Sequence, residues 1–160
     1  CISACNLVVA TTALTFTGSS WQFYGAYDLD QDTVDCVDNT NCFIHCAEDF
    51  ACYGVTVNGP IGATLTIECD SAHGSGNGQS CTFMDVHAED SSGLYITVIN
   101  APSEFEYNNI YAPTGQYNAS ITCGHNDRFW EGDRISEDHQ SQVCGNGINV
   151  YSINGWDDVA

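Results

Sequence analysis

Asp28-Leu-Asp30-Gln-Asp32-Thr-Val-Asp35 is the run of residues in this chain best suited to holding an ion. Carboxylates at alternate positions of a turn can wrap a hard cation, which takes about six to eight oxygen ligands. The run is not an EF-hand, because Thr33 replaces the sharp-turn glycine and Asn39 the bidentate glutamate. Asp28, Asp30, Asp32 and Asp35 are therefore candidate calcium ligands, set against the plainer reading of a solvated acidic loop. Asp133, Glu137 and Asp138 form a weaker acidic patch. Asn118-Ala-Ser120 is the single N-glycosylation sequon, at the start of an expected strand, so a glycan on Asn118 has to point outward. No cofactor is required by these motifs; calcium and an N-glycan are the two additions they suggest.

Catalytic patterns are thin. Gly124-His125-Asn126 and Arg134-Ile135-Ser136 echo elements of polygalacturonase-like enzymes, but the paired acids Asp157-Asp158 follow them in the wrong order and the lysine is missing. His45, His73, His87, His125 and His139 show no ligand spacing, and no nucleophile elbow accompanies any serine. The chain is not expected to be an enzyme.

Ten cysteines carry a clearer message: Cys1, Cys5, Cys36, Cys42, Cys46, Cys52, Cys69, Cys81, Cys123 and Cys144. The number is even, no CxxC pair suited to zinc occurs, and disulfides formed in an oxidising compartment follow. Ten cysteines allow about 945 full pairings, so connectivity stays open. An extracellular or cell-surface location implies an export signal. None precedes Cys1, so a processed or partial chain is expected; lipidation of Cys1 would leave an odd number of thiols. No apolar stretch reaches the roughly 20 residues of a membrane span. Twenty-one acids face only Arg128 and Arg134, a net charge of −19. Such a surface repels nucleic acid, anionic lipid and polyuronates, and favours divalent cations and basic partners.

The elements that must position these residues are strands. Leucine is scarce and lysine absent, while Val, Ile, Thr, Tyr and Phe occur in short runs broken by Gly, Asn, Asp and Ser. One or two helical turns between Asp127 and Gln142 are the only helix expected. Cys42-Phe-Ile44-His-Cys46 aligns with Leu65-Thr-Ile67-Glu-Cys69, then Tyr95-Ile-Thr97-Val-Ile99 and Ala119-Ser-Ile121-Thr-Cys123. An interleaved series aligns Cys52-Tyr-Gly-Val55-Thr-Val57 with Cys81-Thr-Phe-Met-Asp-Val86 and Phe105-Glu-Tyr-Asn-Asn-Ile110. Repeats of about 23 to 30 residues with two or three strands each predict a short right-handed parallel β-helix, an antiparallel β-sandwich or jelly roll being the alternative. In a β-helix Cys46 would stack on Cys69 and Cys52 on Cys81, so that disulfides run as rungs along the axis. Residues 73–79 are an insertion that lengthens one coil.

The pattern C-x-I-x-C, then C-x-x-x-x-V, Pro and L-x-I-x-C resembles the cysteine-rich β-helical repeats of proteins secreted by algae and other protists. The resemblance covers Cys36 to Cys123 and implies an extracellular structural or appendage protein; it transfers no catalytic residue. Ile99 and Phe105 stand where the pattern expects cysteines, so disulfide stacking should be interrupted there.

One domain spanning residues 1–160 is expected: an N-terminal strand or arm with the acidic loop over 1–35, β-helical coils over 36–123, and a C-terminal coil and assembly segment over 124–160. The uncharged run through Leu7, Val8, Val9, Leu14 and Phe16 and the segment ending at Trp156 provide candidate assembly contacts, and the lack of lysine removes a common edge guard. Such ends point to head-to-tail homopolymerisation into an extracellular filament, appendage or coat. The chain's partner is then itself. A carbohydrate-binding or calcium-dependent adhesion module, with glycans as partners for its three tryptophans and eight tyrosines, is the alternative.

Overall fold

The computed structural model describes residues 14–24, 32–47, 50–70, 80–99, 105, 107–113, 119–123, 127–131, 134–135 and 149–152. They form strands β1 (Thr15–Gly18), β2 (Ser20–Tyr24), β3 (Thr33–Cys36), β4 (Cys42–Ala47), β5 (Thr56–Asn58), β6 (Thr64–Asp70), β7 (Asp85–His87), β8 (Gly93–Ile99), β9 (Asn109–Ala112), β10 (Ala119–Cys123), β11 (Asp127–Glu131), β12 (Arg134–Ile135) and β13 (Asn149–Ser152), and no helix among the described residues. Up to β10 successive strands alternate between two sheets. Sheet one runs β1-β3-β5-β7-β9-β13, and sheet two runs β2-β4-β6-β8-β10-β11-β12. Every neighbour in sheet one is parallel, and so are those of sheet two as far as β10. Among the described strands only β10–β11 and β11–β12 are antiparallel. This pairing replaces the antiparallel sandwich alternative.

Alternation within each strand builds the core. In β4 and β6, inward residues are buried and outward ones half-buried with a period of two. Register then stacks like on like. Val34, Val57, Val86 and Ile110 form one column from sheet one; Ile44, Ile67, Ile96 and Ile121 form a facing column from sheet two. All belong to one apolar cluster and are at most 1% exposed. Each such side chain contributes about 1.5–3 kcal/mol through burial. Outside the core the same register aligns polar groups: Asn58 Nδ2 donates to Asp35 at 2.7 Å and Asn109 Nδ2 to Asp85 at 2.8 Å. Even the turns stack, since Ile61 N–H donates to Asp38 and Thr64 N–H to Asn41, each 23 residues earlier.

The disulfides depart from the expected rungs. Among the described residues Cys36–Cys42, Cys46–Cys52 and Cys69–Cys81 close corners between consecutive strands of the two sheets, with Cα–Cα separations of 5.8, 5.7 and 6.1 Å. Cys46 does stack on Cys69 in the ladder, but the two are not bonded. In-register parallel strands aim neighbouring Cβ atoms the same way, whereas a disulfide needs Cβ atoms that converge. A corner turns the chain and supplies that convergence.

Two further expectations need correcting. In β8 the inward series is Leu94, Ile96 and Val98, so Val98, not Ile99, pairs with Cys69, while Tyr95 lies outside at 42% exposure. Of the span Asp127–Gln142, where helical turns are expected, the described parts are strands instead: Asp127–Glu131 pairs with the open edge of β10 as β11, and Arg134–Ile135 follows as β12, while 132–133 and 136–142 lie outside the described residues. Phe105 does occupy the corner position of Cys81, fully buried. Asn108 reinforces this disulfide-free corner. Its side chain is buried, accepts from Met84 N–H at 2.7 Å and donates to Cys81 O at 2.9 Å.

Candidate functional site

The acidic run divides in the structure. Asp32 is 7% exposed and accepts Leu14 N–H at 2.6 Å, fixing the start of β1 against β3. Asp35 lies on the outward face of β3, where Asn58 donates to it. Asp32 is thus buried just before β3, whereas Asp35 is half-buried on the outward face of that strand. Asp28 and Asp30 lie outside the described residues. So do Cys1, Cys5, Leu7, Val8, Val9, residues 73–79, Asn118, residues 124–126, Asp133, Glu137, Asp138, Cys144 and Trp156. Cys123 is placed in β10 opposite Val98.

Of the candidate assembly residues, Leu14 and Phe16 are described. Leu14 is 53% exposed, while Phe16 packs against the core from the first layer of the stack. The inward positions filled by valine, isoleucine and cysteine in the next layer are filled by Phe16, Trp21 and Phe23 in the first. Their ring centroids lie 5.6 Å (Phe16–Trp21), 5.8 Å (Phe16–Phe23) and 6.4 Å (Trp21–Phe23) apart. Gly18 accommodates this arrangement: a Cβ there would sit 2.7 Å from Trp21 Cζ2. The stack thus starts on an aromatic layer bordered by β1 and β2, which are the last strands of their sheets among the described residues.

A second aromatic feature follows the corners leading into sheet one. Tyr53 and Phe83 are 5.4 Å apart, Phe83 and Tyr107 are stacked 5.1 Å apart with planes 12° from parallel, and Phe50 flanks Tyr53 at 5.9 Å. Phe83 and Tyr107 are 47% and 50% exposed. Both have left-handed backbones, with φ of 59° and 55°, at the corner position that Gly54 holds with φ of 70°. A non-glycine residue in that region costs about 1–2 kcal/mol. Two corners therefore carry exposed rings where glycine would be unstrained.

A third grouping is brought together by the strand register. His45, Glu68 and Asp70 lie on the outer face of sheet two, and one ligand atom from each falls within 4.8 Å of the others. Register explains it, since His45 pairs with Glu68 and Asp70 lies two residues further along the same face. Its signal in the sequence is the alignment of the Cys42–Cys46 and Leu65–Cys69 segments, which sets His45 beside Glu68 among the outward residues. His87 has different company, stacked on Tyr111 at 4.6 Å and 3.4 Å from Glu89. The sulfurs of Cys46, Cys52 and Cys81 also lie within 4.8 Å of one another, but all three are in disulfides and so are not thiolate ligands.

The described residues thus present a stapled stack, an aromatic end layer, a row of rings and one imidazole–carboxylate cluster. No helix among them is long and apolar enough to cross a membrane. Comparisons with protein-family models, curated proteins and solved structures find no match.

Proposed function

We propose that the chain is a structural subunit that assembles head to tail into an extracellular filament, appendage or coat, on the scaffold of a short right-handed parallel β-helix. One observation carries this reading: two in-register parallel ladders whose outermost described strands, β1 and β2, flank a layer of buried and half-buried aromatic rings. Strands at the end of a ladder offer unpaired N–H and C=O groups to another chain. The opposite end is built differently, with β13 on sheet one and the antiparallel β11–β12 pair on sheet two. Contact between unlike ends is heterologous and propagates as a filament. Corner disulfides support a mechanical role and an oxidising location. The resemblance of Cys36–Cys123 to secreted cysteine-rich β-helical repeats points the same way. Negative-stain microscopy and sedimentation of the oxidised protein over a concentration series should show linear polymers; a monomer at every concentration, with and without calcium, would reject the reading.

The row formed by exposed Phe50, Phe83 and Tyr107 with half-buried Tyr53 favours a second reading, a carbohydrate-binding module that stacks neutral sugar rings on aromatic side chains. Glycan-array binding that disappears in a Phe83→Ala, Tyr107→Ala double variant would favour this module over the filament.

A further inference from the structure

We infer that His45, Glu68 and Asp70 form a binding site for a divalent transition-metal ion of the zinc class on the outer face of sheet two. The three ligand atoms lie within 4.8 Å of one another, and His45 Nε2 is 3.8 Å from Glu68 Oε1. Zinc bonds of about 2.0–2.2 Å in a tetrahedron place ligand atoms roughly 3.3–3.6 Å apart. Small torsional adjustments close that difference, and the backbone need not move. β4 and β6 are central strands held on both sides, so the three Cα positions are fixed by the ladder. Ala47 pairs with Asp70 across the ladder, and its methyl group leaves space beside the carboxylate on the His45 side.

The donor chemistry selects the ion. One imidazole and two carboxylates neutralise a divalent charge and suit zinc, cobalt, nickel or copper; calcium takes oxygen ligands and gains nothing from the imidazole. His45 and Glu68 side chains are 20% and 34% exposed, so the ion would sit in a shallow, partly desolvated position with solvent completing its coordination. The net charge of −19 raises the local cation concentration without choosing among cations. The site is distinct from the Asp28–Asp35 run, which lacks a nitrogen donor.

The test uses the oxidised full chain, stripped with a chelator and titrated calorimetrically with zinc at about 0.15 M salt to screen diffuse charge. One site is expected that His45→Ala weakens by at least about thirtyfold, with Glu68→Gln and Asp70→Asn each losing about tenfold or more. A hundredfold excess of calcium should leave it occupied. Because His45 faces outward, the variants should fold, which an unchanged circular dichroism spectrum and unfolding midpoint would verify. Cobalt provides an independent readout, since d–d bands of low-symmetry nitrogen–oxygen coordination should appear in the parent and not in His45→Ala. Zinc affinity in His45→Ala within about threefold of the parent, displacement by calcium, or cobalt bands that survive the substitution would each overturn the assignment.

Discussion

Replacing Cys46 by alanine probes the stapling of the stack directly. Cys46 and Cys52 are fully buried and joined across six residues of sequence. In the chain-entropy description, closing so short a loop stabilises the fold by about 2.4 kcal/mol; a Cys46–Cys69 rung would be worth about 3.4 kcal/mol. Removing a buried sulfur adds about 1 kcal/mol for lost packing. Cys46→Ala should therefore lower stability by about 3–4 kcal/mol in urea unfolding monitored by fluorescence. The position of the orphaned thiol is more diagnostic than the energy. Corner pairing leaves Cys52 free and protected from alkylation until the protein unfolds. Acid quenching is needed, because the Cys52 and Cys81 sulfurs are within 4.8 Å and could exchange. Mass mapping that finds the new thiol at Cys69, with Cys52 joined to Cys81, would refute the corner scheme and restore axial rungs.

Other substitutions probe the layers around it. Ile67→Ala, at the centre of its column, should cost about 2–5 kcal/mol in the same unfolding assay. Asn108→Ala leaves Met84 N–H and Cys81 O buried without their partner and should cost about 2–4 kcal/mol; its effect should exceed that of Asn58→Ala, whose hydrogen bond is exposed. Gly18→Ala drives a methyl group into the Trp21 ring and should cost about 1–3 kcal/mol, with a shift in tryptophan emission marking the displaced indole.

Much of this architecture is legible in the alternating residues themselves. Cys42, Ile44 and Cys46 match Leu65, Ile67 and Cys69 position for position, and Val57, Val86 and Ile110 fall in one column as their spacing predicts. The slip at β8 has a physical cause. Gly93–Ile99 contains two overlapping apolar series, and an outward strand face tolerates Tyr95 and Ile99, so alternation alone leaves the register ambiguous by one residue. Disulfide pairing was hidden for another reason. Stacked and corner cysteines both satisfy the Cα distance, and only the direction of the Cβ vectors separates them. The His45–Glu68–Asp70 cluster is implicit in the 23-residue offset between β4 and β6, but outward polar residues on a strand face read equally as a solvated surface, and only the side-chain distances bring the three together.

Head-to-tail growth of the two ladders is tested most directly by cryo-electron microscopy of the oxidised protein at high concentration. Filaments whose power spectrum carries a meridional reflection near 4.8 Å, the strand spacing continued across subunits, are the expected result. Dispersed monomers, or closed symmetric oligomers that bury like ends against like, would contradict it.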